Sequence, residues 1–569
     1  MNRLLRSYRA LFIGAFFIPL LLNYPIAWTG TAIAHTEGNH IQQVGSVTVT
    51  TPLFEDLGNY THPISTHNLQ TQQYTQQYFD QGLILSYGFN HAEALRSFQQ
   101  AAQLDSACAI CYWGMAYVLG PNINAAMEAG AVPTAWESIQ KAMALSAFAS
   151  PKERAYIAAL ATRYTAEPVA DRTALNLAYA NAMREVAKQY PDDLDAATLF
   201  AEALMDTAPW DYWAADGTPK PEGAEIIATL ESVLQRNPNH PGALHLYIHA
   251  VEAERPELAA QAADRLRDLN INTGHLIHMP GHIYIRVGRY QDAVIANQQA
   301  AAADARYAHQ HDPQGAYPMI YMPHNYHFLW FAAVLSGQRE VAMQAAQKTA
   351  SLVNQSLLGE AGNGPLQHFT TIPLYTQVKF GKWDEILAQS APGEDLLYPT
   401  GVWHFARGMA YRAKGQLQQA NRELQALESI ATNPSLQSVT VDGLNSADHL
   451  LKMAIELLSG DLAAKQGHDE EAIAHLRKGV ELEDSLKYTE PASWYSPVRQ
   501  TLGAVLLQAD RPAEAEQVYR EDLATYPENG WSLYGLMQSL RAQGKNQEAQ
   551  QVQARFEQAW QYADSAANL

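Results

Sequence analysis

Residues 274–300 read Gly274-His275-Leu-Ile-His278-Met-Pro-Gly281-His282-Ile-Tyr284-Ile-Arg-Val-Gly288-Arg-Tyr290-Gln-Asp-Ala293-Val-Ile-Ala-Asn-Gln-Gln-Ala300. Apolar residues recur every three or four positions, the period of an amphipathic helix, and the small residues Gly281 and Ala293 stand twelve apart. The same frame returns along the chain. Gly82 precedes Ala94, with Phe98 and Ala101 after it; Gly408, Tyr411, Gly415, Ala420 and Leu424 repeat the pattern. So do Gly460, Gly467, Ala472 and Leu476, and then Gly503, Leu506, Ala515, Tyr519 and Pro527. Ala259 to Ala293 and Ala515 to Ala549 are each 34 residues, while Ala293 to Ala342 is 49, one repeat plus an inserted loop at 307–323.

This register resembles the tetratricopeptide repeat family, a helix-turn-helix of 34 residues whose small side chains let two helices approach closely. The resemblance implies an all-α fold, an α-solenoid of such repeats, with irregular insertions near 120–135, 208–222, 307–323 and 430–446. Physically, a helix pair that cannot bury its apolar stripe alone must stack on its neighbours, and stacking produces a superhelix with a concave groove. The chain is expected to divide into a signal peptide or signal anchor (1–34), a partly ordered leader (35–75), an array with a histidine-rich groove (76–350), a second array (351–560) and a tail (561–569). Strings such as Ala243-Leu-His-Leu-Tyr-Ile-His249, Gly274 to Arg286 and Tyr519-Arg-Glu-Asp-Leu523 resemble exported bacterial tetratricopeptide proteins without an assigned activity. That likeness implies fold and an envelope location, and no catalytic residue.

The 569 residues are 47% apolar and 17% charged, a composition that excludes a disordered or collagen-like chain. Lys+Arg 38 against Asp+Glu 58 gives a net charge of −20, which argues against nucleic acid and anionic lipid as partners, since both recruit basic surfaces. A protein or peptide held in the groove is the partner class the fold implies. At the N-terminus Arg3, Arg6 and Arg9 precede the apolar run Leu11 to Leu22, and Ala32-Ile-Ala34 offers a cleavage site. The expected location is periplasmic or secreted, with residues 10–34 as the sole membrane contact if they are not removed.

The two cysteines, Cys108 and Cys111, lack the βαβ context of a thioredoxin-like site and the histidine of a haem-attachment motif. A structural disulfide or buried thiols are favoured over redox chemistry. Trp210-Asp-Tyr-Trp213 and Trp494-Tyr495 read as packing between irregular repeats rather than ligand platforms. No phosphate-binding loop, dinucleotide fingerprint, nucleophile elbow or H-E-x-x-H motif occurs.

Histidine is the outlier. Ten of the 20 fall between residues 240 and 327, where uniform scatter would place about three. They form the groups His245/His249 with Glu252, His275/His278/His282 and His324/His327, each spaced so that its members share a helix face. In tetratricopeptide proteins the groove is lined by first-helix positions 18, 15 and 11 residues before the signature alanine. Counting back from Ala293 reaches His275, His278 and His282, and from Ala342 reaches His324, His327 and Phe331. His245 and His249 fall one residue out of phase with Ala259, which a slip in the loop at Glu254–Pro256 corrects.

Clustered imidazoles repel when protonated unless a cation or a depressed pKa keeps them neutral. A transition-metal site on His245, His249, Glu252, His275, His278, His282, His324 and His327 is therefore expected, with copper, zinc or iron as the ion. Glu252 is either a ligand or the acceptor that orients an imidazole. Met279, Met319 and Met322 nearby would favour copper, and His35 with His40 forms a weaker copper candidate. Whether the chain is a scaffold with a metal site or a metal-dependent oxidoreductase or hydrolase stays open at this level.

Overall fold

The computed structural model describes residues 42–44, 47–311, 313–393, 395–441 and 443–566. The expected export segment and the His35/His40 pair lie outside the described residues. Among these residues the only sheets are two-stranded: a hairpin pairing Gln42–Val44 with Val47–Val49, and a bridge of Thr440–Val441 with Asn445–Ser446. The rest is a TPR-like α-solenoid of antiparallel helix pairs, beginning with Gln72–Tyr87 and His91–Leu104 and ending with Gly530–Ala542 and Asn546–Ala559. No helix of the described residues is long and apolar enough to cross a membrane.

The signature alanines explain how the pairs close. Ala94, Ala259, Ala293, Ala342, Ala420, Ala472 and Ala515 are fully buried, so each sits where the second helix crosses the first and a larger side chain would hold the axes apart. The insertions adopt short irregular structure. The one expected at 307–323 starts later, because the Tyr290–Gln310 helix continues past Tyr307 before a π-helical turn, Tyr317–Tyr321, leads into the Met322–Leu335 helix. The leader is pinned against the first repeats. Phe54 donates its backbone N–H to Gln81 and Thr51 and Leu57 are buried. Cys108 and Cys111 form a buried disulfide at the start of the Ala109–Val118 helix, consistent with a structural role for the pair.

The array does not stay open. Its last repeats return to the middle of the chain: Trp531 donates Nε1–H to the Val334 carbonyl at 2.8 Å, and Tyr290 donates its hydroxyl to the Pro527 carbonyl at 2.7 Å. Asp564 accepts from the backbone N–H groups of Arg339 and Glu340, capping the Arg339–Ser351 helix. One contiguous apolar core runs from Val49 to Val552.

Candidate metal centre

Three neighbouring first helices carry the histidines. His245 and His249 stand one turn apart on the Pro241–Val251 helix. A short 3₁₀ turn, Pro256–Ala259, follows. His275 and His278 lie on Gly274–His278 and His282 on Pro280–Arg286, two halves of one helix broken at Met279-Pro280. His324 opens the Met322–Leu335 helix. Two glycines permit the close approach of these helices to the long Tyr290–Gln310 helix behind them. A Cβ at Gly281 would lie 2.7 Å from Asn297, and one at Gly274 would collide with the Asp304 carboxylate.

The groove expectation is corrected by burial: His245, His249, His275, His278 and His282 are each at most 4% exposed, and only His324 reaches intermediate exposure. Aromatic rings cover them. Phe89, from the turn between the first two helices, contacts His245 and His275 at ring separations of 4.6 and 5.2 Å, and Trp210 meets His249 at 5.1 Å. Tyr321 covers His275, and Phe328 covers His278, His282 and His324. Phe89 and Trp210 both have left-handed backbones, φ 55° and 63°. Bulky residues adopt that conformation only where the surroundings hold them in it, and such strain concentrates at functional sites.

The hydrogen bonds fix which nitrogen of each ring carries the proton. His245 Nδ1 lies 2.6 Å from the Tyr87 carbonyl, which only accepts, so Nδ1 is the donor. His249 Nδ1 donates to Glu252 Oε1 at 2.8 Å, His282 Nδ1 donates to Glu252 Oε2, and His278 Nδ1 donates to Asn297 Oδ1 at 2.7 Å. Asn297 is itself oriented by its Nδ2–H bond to the Ala293 carbonyl. In neutral rings the Nε2 atoms of these four residues are then bare lone pairs. His278 Nε2 and His282 Nε2 nevertheless face each other at 2.9 Å, and His245 Nε2 lies 3.2 Å from His275 Nε2. His249 Nε2 and His275 Nδ1, both buried, have no hydrogen-bond partner. Two lone pairs at 2.9 Å require a proton or a cation between them.

Burial, together with the neighbouring imidazoles, holds His245, His275, His278 and His324 well below the usual histidine pKa. His249 is also lowered, by burial against the opposing pull of Glu252. Burial works to raise Glu252, but the charge of His282 and the hydrogen bonds from His249 and His282 outweigh it and hold the carboxyl at about 2. The centre is thus a set of buried imidazoles around one ionised carboxylate, whose two oxygens both accept imidazole N–H bonds.

Two three-histidine groups have ligand atoms within 4.8 Å of one another: His245, His249 and His275, and His278, His282 and His324. Glu252 with His249 and His282 forms the contact between them. His327 departs from the expected set. Its ring stacks on Trp330 at 5.3 Å and faces His368 at 5.4 Å, contacts that point it toward the next repeat instead of the cluster. Met279 and Met322 are core residues. Sequence reasoning missed Phe89, Tyr87 and Asn297, and it read Trp210, which packs on His249, only as packing between repeats. Only Asn297 had a register signal, four residues after the signature Ala293 on the opposing helix.

A second group, His62, Asp193 and Asp195, lines a surface depression. Asp195 there already accepts from His62 Nδ1 at 2.6 Å and from the hydroxyls of Tyr60 and Tyr87, at 2.6 and 2.5 Å, while Lys152 Nζ lies 2.9 Å from Asp193. A saturated carboxylate beside an ammonium group makes this a structural knot that ties the leader to the repeats.

No family model matches the chain, and no curated protein matches it. Solved structures of similar architecture include the APC/C hetero-tetramer Cut9–Hcn1, at 14% identity over 84% of this chain and 78% of that one, with a TM-score of 0.31. The human IFIT1 dimer with m7Gppp-AAAA is 12% identical over 86% and 90%, with a TM-score of 0.28. Yeast Tom70 is 10% identical over 86% and 97%, with a TM-score of 0.31.

Proposed function

We propose that this protein is an exported helical-repeat protein that holds a transition metal in its interior, on His245, His249, His275, His278, His282 and His324. The observation that carries the reading is the pinned tautomer. Four rings donate Nδ1–H to fixed acceptors and turn Nε2 inward, which is how metal-ligating histidines are oriented by their outer partners. A single proton can relieve the His278–His282 contact but leaves His249 Nε2 unsatisfied, whereas metal ions use all of these lone pairs. Neutral imidazoles suit copper, zinc or iron rather than calcium or magnesium. The arginines and apolar run of residues 3–22 support export.

A catalytic role is the second reading, favoured by the ligand count. Three histidines per group leave a coordination position free, as in catalytic rather than structural sites, and the partly exposed His324 marks the side nearest solvent. Elemental mass spectrometry of the purified full chain tests the metal reading. Stoichiometric copper, zinc or iron is expected, with the metal content lowered in the His278→Ala/His282→Ala variant and helical circular dichroism unchanged. A wild-type chain that stays metal-free after incubation with each of the three ions refutes it.

A further inference from the structure

We propose that the cluster holds two monovalent copper ions, one on His245, His249 and His275 and one on His278, His282 and His324, linked through Glu252. The inference rests on the metal reading above and concerns the number and charge of the ions. The donor geometry comes first. Two imidazoles on one ion with bonds of about 2.0–2.1 Å, at tetrahedral to trigonal angles, place their nitrogens about 3.3–3.6 Å apart. The observed 3.2 Å between His245 Nε2 and His275 Nε2 and 2.9 Å between His278 Nε2 and His282 Nε2 are slightly collapsed versions of that spacing. These short pairs fall in different groups and share no residue. One ion cannot sit between both, because each His278 and His245 Nδ1 is tied to its own anchor, Asn297 on one side and the Tyr87 carbonyl on the other.

Glu252 joins the two groups without belonging to either coordination shell. Its Oε1 accepts from His249 and its Oε2 from His282, one ring from each group, and those rings are 5.5 Å apart. The carboxylate is fully buried, so it neutralises charge where water cannot. That fact selects the ion. Arg286 and Glu490, 3.9 Å apart beside this carboxylate, form a pair with no net charge, so two divalent ions leave a net charge of +3 in an interior shielded by Phe89, Trp210, Tyr321 and Phe328, and two monovalent ions leave +1. Burying charge without compensation is costly, and the cost rises steeply with its magnitude. Three neutral imidazoles per ion also complete the trigonal coordination that copper(I), a d¹⁰ ion, accepts without a further anionic ligand.

Anaerobic titration of the metal-free full chain with copper(I), against a chromophoric chelator, is the test. Two ions per chain are expected, with one retained when His278 and His324 are both replaced by alanine and the other retained when His245 and His275 are. Glu252→Gln should weaken both ions by about 10- to 100-fold, the usual effect of removing an outer-shell partner, while circular dichroism stays unchanged. A single ion per chain, lost entirely in either double variant, overturns the two-ion inference and leaves the metal reading standing. Two zinc ions bound in preference to copper(I) overturn the assignment of charge. Failure to bind any of copper, zinc or iron overturns both readings together.

Discussion

Asp304 offers a perturbation whose size follows from the structure. It lies on the Tyr290–Gln310 helix under the first half of the histidine helix, 3% exposed, accepting from the Tyr317 hydroxyl at 3.0 Å and from Asn325 Nδ2 at 2.6 Å. Burial pushes its carboxyl from 3.8 up to about 7, with the two hydrogen bonds pulling back. A buried acid with a raised pKa binds more protons folded than unfolded between those values. Its contribution is therefore most favourable at low pH and is lost as pH rises from about 4 to about 7. With 1.36 kcal/mol per pH unit, the penalty against a permanently neutral group is about 1.7 kcal/mol at pH 5 and about 4 kcal/mol at pH 8. Asp304→Asn keeps the shape, and Asn325 can turn its unpartnered Oδ1 toward the new amide. The stability advantage of the variant over wild type should grow by about 2–3 kcal/mol between pH 5 and pH 8. Urea unfolding followed by tryptophan fluorescence on metal-free protein reads this difference of differences. An advantage that is flat or shrinking with rising pH refutes the claim that Asp304 is a buried, near-neutral acid.

Other outcomes follow from contacts already described. His327→Phe should leave the metal content of the purified protein unchanged, since that ring faces Trp330 and His368; loss of metal would place it among the ligands. Replacing both Cys108 and Cys111 by serine should cost about 2 kcal/mol of stability, the small effect of a four-residue loop, with metal content unaffected. Trp531→Ala, which removes the bond to Val334 and a half-buried ring, should cost about 2–3 kcal/mol and speed proteolysis within residues 512–559, as read by mass spectrometry of the fragments. Cleavage at an unchanged rate would mean that the last repeats do not hold the array closed.

The repeat was legible in the sequence because its cause is local. Small residues at Gly281 and Ala293, or Gly503 and Ala515, admit a close helix crossing wherever they recur, so counting along the chain reaches the same positions that packing selects. The same counting put His275, His278 and His282 on one helix face and, through the repeat register, His324 on the next first helix. Periodicity says nothing of what lies opposite that face. The sequence reading expected an open groove, and rings brought from other parts of the chain, Phe89, Trp210 and Tyr321, made it an interior. His327 shared the spacing of the ligands yet turned to the next repeat, a choice made by the Trp330 and His368 rings. The tautomers, finally, depend on Tyr87, Glu252 and Asn297, acceptors brought from three separate helices. The three-residue step from His249 to Glu252 was legible along the chain, whereas the free nitrogen of His245, His278 and His282 is set by neighbours that only the fold brings in.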